Sequence, residues 1–475
     1  MSTNISRRKV VAGAAWAAPV VAASAAVPAF ASSTECEWNS TENYSISGQP
    51  SGARDTLKIT IPAKVDKLRF EVAGGAGGGS AQVAGGSGAL VTGEIPVKEG
   101  QVIELVAASG GVAYLVSEPG VDSKAIWQTR PATGGKGYGN GGDVNEQPVP
   151  ADAKARVEAN APMPSDMKRY LYGGSGGGSS ALIIDGTPIA VAGGGGGAGI
   201  RTQPGTNNMP SSSPFYNPKA VNASTTSLGD TAVKSVLPAG ASASAAAGGD
   251  AETSISHYTV LKPYANERTA MKVAGGKGGN GGVGGAGGEQ PLLYNDANFY
   301  GVLGFTSQNK QELFSSATAG DKGGSGFDGK GADGVFAYSY QIDNNDISKL
   351  EIVHQTNPLN LNEKRPYSEK DTRKSFNGYQ TVVSAGGGAG YGGGGSGAAR
   401  GLSSIITSQK WNANEEPTRY RQNVSALLQA GAGGAGGSYV SPTVPNGIIA
   451  SANNAAKQSG VRNPGYVKVT LCTRS

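Results

Sequence analysis

Cysteine occurs only twice in this 475-residue chain, and histidine only twice. So few ligands exclude a cysteine-dense scaffold, and neither His257 nor His354 has ligand-type neighbours at zinc-site spacing. Leu, Ile, Val and Phe together number 85, under a fifth of the chain. That is too few for an ordinary enzyme-like composition with a conventional core throughout. Charge of one sign is also scarce: the net charge is only +5, which excludes the strongly charged kind of disordered chain. With 25 prolines and no strict every-third glycine, collagen is excluded as well. What the chain does have is 77 glycines, where about 33 would be average. They fall in runs, and short aliphatic blocks lie between the runs.

The first 31 residues read as an export signal. Ser6-Arg7-Arg8-Lys9 is a twin-arginine leader start, followed by an Ala-rich apolar stretch from Val10 to Val27. Ala29-Phe30-Ala31 is an A-x-A cleavage site before Ser32. The alternative is a membrane anchor, but the stretch is Ala-rich, is broken by Pro19 and ends at small residues. Twin-arginine export carries folded proteins across a bacterial inner membrane, so residues 32–475 are expected outside the cell. Removing Arg7, Arg8 and Lys9 lowers the net charge to +2, too little to attract nucleic acid or an anionic surface. No later apolar run reaches the length of a membrane-spanning helix.

The two cysteines are Cys36 and Cys472, near the two ends of the exported chain. An even count in an exported protein predicts a disulfide that ties the termini together. Two free thiols, or pairing between molecules, are the alternatives.

Strand signals are plain at both ends. Leu57, Ile59 and Ile61 alternate with Lys58 and Thr60, and Leu68, Phe70 and Val72 with Arg69 and Glu71. Val467, Val469 and Leu471 repeat the pattern, and 102–106 forms another short apolar block. Period two marks strands with one buried face. Cys472 falls on the parity of Lys468 and Thr470, which puts it on the outer face. The spacing of Val424, Leu427 and Leu428 suits a helix within 403–430.

Glycine runs follow these blocks through a repeated junction. Val72-Ala73-Gly74-Gly75, Val83-Ala84-Gly85-Gly86, Val191-Ala192-Gly193-Gly194 and Val273-Ala274-Gly275-Gly276 share the same four letters. A glycine run brings donors and acceptors but no side chain, and ordering it costs more backbone entropy than any other residue. Buried, its polar groups need partners. Extended threefold helices packed side by side satisfy them, since only glycine lets backbones approach so closely. On this reading the run at 275–288 would extend about 43 Å. Flexible linkers are the alternative, but the intervals between runs are too short and irregular to be separate domains.

Residues 172–192, Tyr-Gly-Gly-Ser-Gly-Gly-Gly-Ser-Ser-Ala-Leu-Ile-Ile-Asp-Gly-Thr-Pro-Ile-Ala-Val-Ala, lead directly into the glycines at 193–197. This segment resembles the glycine-rich extracellular region of the anaplastic lymphoma kinase and leukocyte tyrosine kinase receptors. It is also similar to glycine-rich bacterial surface proteins and to phage tail-fibre tips. The resemblance spans about 55–470 in style. It implies an all-β fold: a jelly-roll-like β-sandwich with an inserted bundle of packed polyglycine helices, hydrogen-bonded in a hexagonal array, and long loop insertions. The receptors' ligand-contacting residues have no counterpart here, and their many cysteines are missing.

Between the runs lie glycine-poor insertions at 118–132, 145–171, 201–247, 289–318, 339–379 and 403–430. They either cap the runs or bind a partner, as loops on rigid frames do. Enzyme signatures fail one by one. Gly173-Gly174-Ser175-Gly176-Gly177 fits G-x-S-x-G in letters but lacks a strand–turn–helix setting. No phosphate-binding loop is present. Gly323 to Asp328 opens like a calcium-binding repeat but has no tandem copy. The expectation is therefore a leader at 1–31 and a single domain at 32–475, secreted or held at the bacterial surface. It would be a non-catalytic adhesion or recognition module with no cofactor or metal and a glycan or protein as its surface ligand. A structural or self-assembling envelope protein is the alternative, and a hydrolase using carboxylates of 339–379 a third class.

Overall fold

Strands form where the sequence alternates. In a computed structural model of the chain, Leu68, Phe70 and Val72 are buried while Lys67 and Arg69 are exposed, and Val467, Val469 and Leu471 are likewise buried. The turn after Pro62 is closed by Lys64 in the left-handed region, at φ 66°. The structure describes residues 36–474 except 80–83, 117–127, 148–150, 152–168, 204–216, 222–234, 237–241, 244–246, 249–250, 259–265, 292–311, 343–377, 410–419 and 456–458.

Every regular element among the described residues is a strand. The first eight are β1 (Glu37–Ser47), β2 (Asp55–Thr60), β3 (Val65–Ala73), β4 (Ala89–Pro96), β5 (Val102–Ala107), β6 (Tyr114–Val116), β7 (Gln128–Arg130) and β8 (Arg169–Tyr172). The next eight are β9 (Ser180–Ile184), β10 (Thr187–Ala192), β11 (Gly199–Gln203), β12 (Asn217–Val221), β13 (Ser235–Val236), β14 (Ser242–Ala243), β15 (Ala251–Tyr258) and β16 (Asn266–Val273). The last are β17 (Glu312–Thr318), β18 (Phe336–Ile342), β19 (Gly378–Val383), β20 (Ala399–Gln409), β21 (Tyr420–Ala430), β22 (Ser438–Val440), β23 (Ile448–Ser451) and β24 (Tyr466–Thr473).

Two six-stranded antiparallel sheets share one apolar core. The first has the order β1-β24-β3-β4-β23-β13 and the second β14-β22-β10-β9-β5-β2. Phe70, Leu68, Val469 and Leu471 of the first meet Ile103, Leu105, Leu182 and Ile189 of the second. The outer face of the first sheet is polar, with Arg69 paired to Glu94 at 2.6 Å and Lys468 to Glu71 at 3.7 Å.

A third sheet of eight strands has the order β12-β11-β21-β20-β17-β18-β19-β8. All its pairs are antiparallel except β19 with β8, which is parallel. Here the helix expected around Val424 is overturned. Residues 420–430 form β21, paired with β20 over eleven residues, with Val424 opposite Ile405 and Leu428 opposite Gly401. A spacing of four returns to the same face of a strand as well as of a helix, so Val424 and Leu428 could not distinguish the two.

Glycine runs join the paired sheets to the third sheet. Residues 173–179 lead from β8 to β9, 193–198 from β10 to β11, and 431–437 from β21 to β22. Their backbone partners rotate with period three. The N–H groups of Gly74, Gly75 and Ala76 donate to Ala89, Gly178 and Asn463, and Gly77 and Gly78 then return to Gly86 and Ser175. From Gly386 to Tyr391 the acceptors are Gly174, Ala332, Gly434, then Gly177, Gly329 and Gly437. A methyl group placed on Gly177 would overlap the carbonyl of Gly75, and one on Gly387 the carbonyl of Gly394. The run at 275–288 does not extend straight, contrary to the 43 Å expectation. It reverses at Asn280–Val283, where the two residues exchange N–H···O bonds of 2.9 Å and Gly281 and Gly282 take φ of 56° and 78°. Glycine at both central positions makes this tight turn unstrained.

Serine hydroxyls serve backbone donors where a carbonyl is wanting. Ser180 Oγ accepts from Ala108 N at 2.9 Å, Ser384 Oγ from Val335 N at 2.9 Å, Ser396 Oγ from Asp321 N at 2.8 Å and Ser438 Oγ from Gly193 N at 3.0 Å. Three of these sit where a run meets a strand, in the Ser-Ser-Ala, Val-Ser-Ala and Gly-Ser-Tyr junctions. The fourth, Ser396, lies within a run.

Candidate recognition surfaces

The predicted cysteine pair is bonded: Cys36 and Cys472 form a disulfide with Cα atoms 5.3 Å apart. Cys472 stands opposite Trp38 and Lys67 in the ladder, on the outer face, as its parity predicted. It is nonetheless 1% exposed, and the Arg69 guanidinium lies 4.3 Å over the Trp38 ring beside it. The leader residues Arg7, Arg8, Ala29, Ala31 and Ser32 lie outside the described residues, as do His354 and most of 339–379. His257 pairs with Glu267 in the β15–β16 hairpin.

Ser175 of the G-x-S-x-G letters is buried in a run. Its hydroxyl accepts from Val112 N at 2.9 Å and donates to Thr133 O at 2.9 Å, so it is spent on backbone. No group of three or more His, Cys, Asp or Glu suited to a metal exists among the described residues. No helix among them is long and apolar enough to cross a membrane.

Strand direction sorts the chain into two ends. β1 begins and β24 finishes away from the glycine runs, since β24 starts just after Gly465, whose N–H donates to Ala108 O at 2.8 Å. The disulfide therefore marks the end of the paired sheets remote from the runs. In the third sheet β18 and β20 leave the runs, while β19 and β21 return to them. The segments 343–377 and 410–419 thus depart from, and rejoin, strand ends remote from the runs. The same holds for 204–216, between β11 and β12.

A second surface lies on the outer face of the second sheet. Val106, Ala181, Ile183 and Val191 there are covered by Tyr138, Phe327 and Tyr439. Three of the four rings in this cluster stand on glycine turns and the fourth on β22. Phe327 stacks on Tyr391 with centroids 4.7 Å apart, meets Tyr439 edge-on at 4.9 Å, and Tyr391 lies 5.1 Å from Tyr439. Gly282 packs against the Tyr391 ring and takes φ of 78°, a conformation that side chains disfavour. Burial, and then the carboxylates of Asp328 and Glu104, raise the Tyr138 hydroxyl above its ordinary pKa.

Two polar staples hold the C-terminal segment to the runs. Asn454 Nδ2 donates to Gly74 O at 2.9 Å, and its Oδ1 accepts from Gly88 N at 3.0 Å. Arg462 donates to Gly110 O at 2.7 Å and Thr133 Oγ1 at 2.9 Å. Desolvation lowers its pKa from the ordinary arginine value. Single Asn and Arg residues carry no sequence signal, and the four aromatic residues, spread from 138 to 439, showed none either.

No protein-family model matches the chain, and no curated protein is significantly similar to it.

Proposed function

We propose that this protein is a non-catalytic recognition module of the adhesion type, exported from a bacterium and displayed outside the cell. Its frame is a jelly-roll-like β-sandwich continued into a bundle of polyglycine helices. Support for the helices comes from the period-three rotation of hydrogen-bond partners, since a threefold extended helix has three residues per turn. Support for an extracellular setting comes from the Cys36–Cys472 bond, a linkage that persists in oxidising compartments.

One observation carries the functional reading. The Cys36–Cys472 bond lies at one end of the frame, and the strand ends flanking 204–216, 343–377 and 410–419 are remote from the runs. An adhesion module needs such a division between attachment and presentation, because binding residues concentrate on loops placed by a rigid scaffold. The partner is a glycan or a protein.

The test uses purified residues 32–475 against glycans, matrix proteins and bacterial envelope fractions. Binding is expected, and it should vanish when 343–377 and 410–419 are replaced by short turns while the circular-dichroism spectrum is kept. Absence of any binding above background overturns the reading. A protein that instead forms large assemblies in solution supports a structural envelope role.

A further inference from the structure

The aromatic cluster on the second sheet has an electrostatic sign. Ring faces are electron-rich, and four partly exposed rings converge here: Tyr138, Phe327, Tyr391 and Tyr439. Asp328 follows Phe327 directly and is exposed. Glu104 projects from the same outer face of β5, where Lys58 pairs with it at 3.3 Å. Asp328 has no ion pair among the described residues. Beside the cluster, Val283 is 56% exposed, an apolar rim on the neighbouring glycine turn. The surface thus combines four partly exposed aromatic rings, a carboxylate with no ion pair among the described residues and an apolar edge.

We propose that this cluster binds a quaternary ammonium group. Such a cation is large, weakly hydrated and apolar at its surface. It is drawn to ring faces within about 6 Å, and it needs none of the oxygen cage that a metal ion demands. A neutral group of the same shape would gain the apolar contact but not the attraction to the rings and to Asp328. An anion would be repelled. The site is independent of the segments assigned above to recognition, so either reading can fail alone. A free choline-like solute and a phosphocholine lipid headgroup present the same chemistry.

The decisive experiment titrates residues 32–475 with choline and, separately, with its neutral carbon isostere 3,3-dimethylbutanol, following tyrosine fluorescence. Choline is expected to bind in the millimolar range and the isostere far more weakly. Asp328→Asn should weaken choline about threefold, and Phe327→Leu about fivefold. Phosphatidylcholine vesicles should bind and be displaced by free choline. Equal binding of the isostere, no binding of choline, or an unchanged affinity in Asp328→Asn overturns the proposal. Vesicle binding that choline does not displace overturns it too. Should Phe327→Leu fail to fold, Asp328→Asn decides alone, because its exposed carboxylate supports no packing.

Discussion

The molecule has two interiors built on opposite principles. Between the paired sheets, Phe70, Leu105, Leu182 and Val469 exclude water with side chains. Among the glycine runs, backbone meets backbone, and donors and acceptors are satisfied by three neighbours in rotation. The first interior is stabilised by the apolar area it removes from water. The second removes little apolar area and is held by completeness of hydrogen bonding, because each buried polar group left unmade costs more than a made one contributes. A side-chain core tolerates exchange of one hydrophobic residue for another of similar volume. A backbone core has no volume to trade.

The sharpest way to break this contrast is the smallest chemical change. Gly177→Ala adds one methyl group, which would overlap the Gly75 carbonyl. It is expected to cost more than about 4 kcal/mol, the range reserved for severe lesions, and to abolish recovery of folded protein. A normal thermal melt for this variant would disprove a close-packed backbone interior. Phe70→Ala removes the six ring carbons of a side chain that is 1% exposed and leaves a cavity in their place. Urea unfolding should show a loss of about 3–5 kcal/mol, no greater than the added methyl.

Next in size is the covalent tie between the ends. Cys36→Ser combined with Cys472→Ser should lower stability by about 2–4 kcal/mol, seen as a lower urea midpoint. Ser384→Ala tests the junctions between the two interiors. It leaves Val335 N without its 2.9 Å acceptor, for a loss of about 1–3 kcal/mol, and Ser384→Thr should recover part of it. The smallest effect is at Asp185, whose carboxylate accepts from Val102 N at 2.8 Å and Gln101 Nε2 at 2.9 Å. These bonds, the backbone one first, lower its pKa from the ordinary aspartate value. Its stabilisation is therefore present above the unfolded aspartate pKa and lost as pH falls through the folded one. Asp185→Asn should flatten the acid end of a plot of melting temperature against pH and leave the neutral region nearly unchanged.

The side-chain interior was legible in the sequence because alternation reports burial directly: the strands named from period two at 57–61, 68–72 and 467–471 are present, as is a strand at the short apolar block 102–106. The backbone interior was legible only as composition and junction. Glycines look alike, so nothing announced that 275–288 would reverse at Asn280, and the Val-Ala-Gly-Gly repeats did not reveal which run faces which. Val424 and Leu428 misled because a spacing of four fits both periods. At the aromatic cluster the residues are far apart in the chain and meet only because separate glycine turns end at one sheet face. Spacing cannot report that.

Sheet order has a temporal consequence. β24, the last strand described, lies between β1 and β3 and contributes Val467, Val469 and Leu471 to the core. Until the ribosome has released those residues, the facing edges of β1 and β3 have no partner and the first sheet is split. A nascent chain therefore carries two open strand edges and an unfilled core until β24 emerges, the state most exposed to mispairing. Emergence of β24 and closure of the first sheet are one event, and that event brings Cys472 to Cys36.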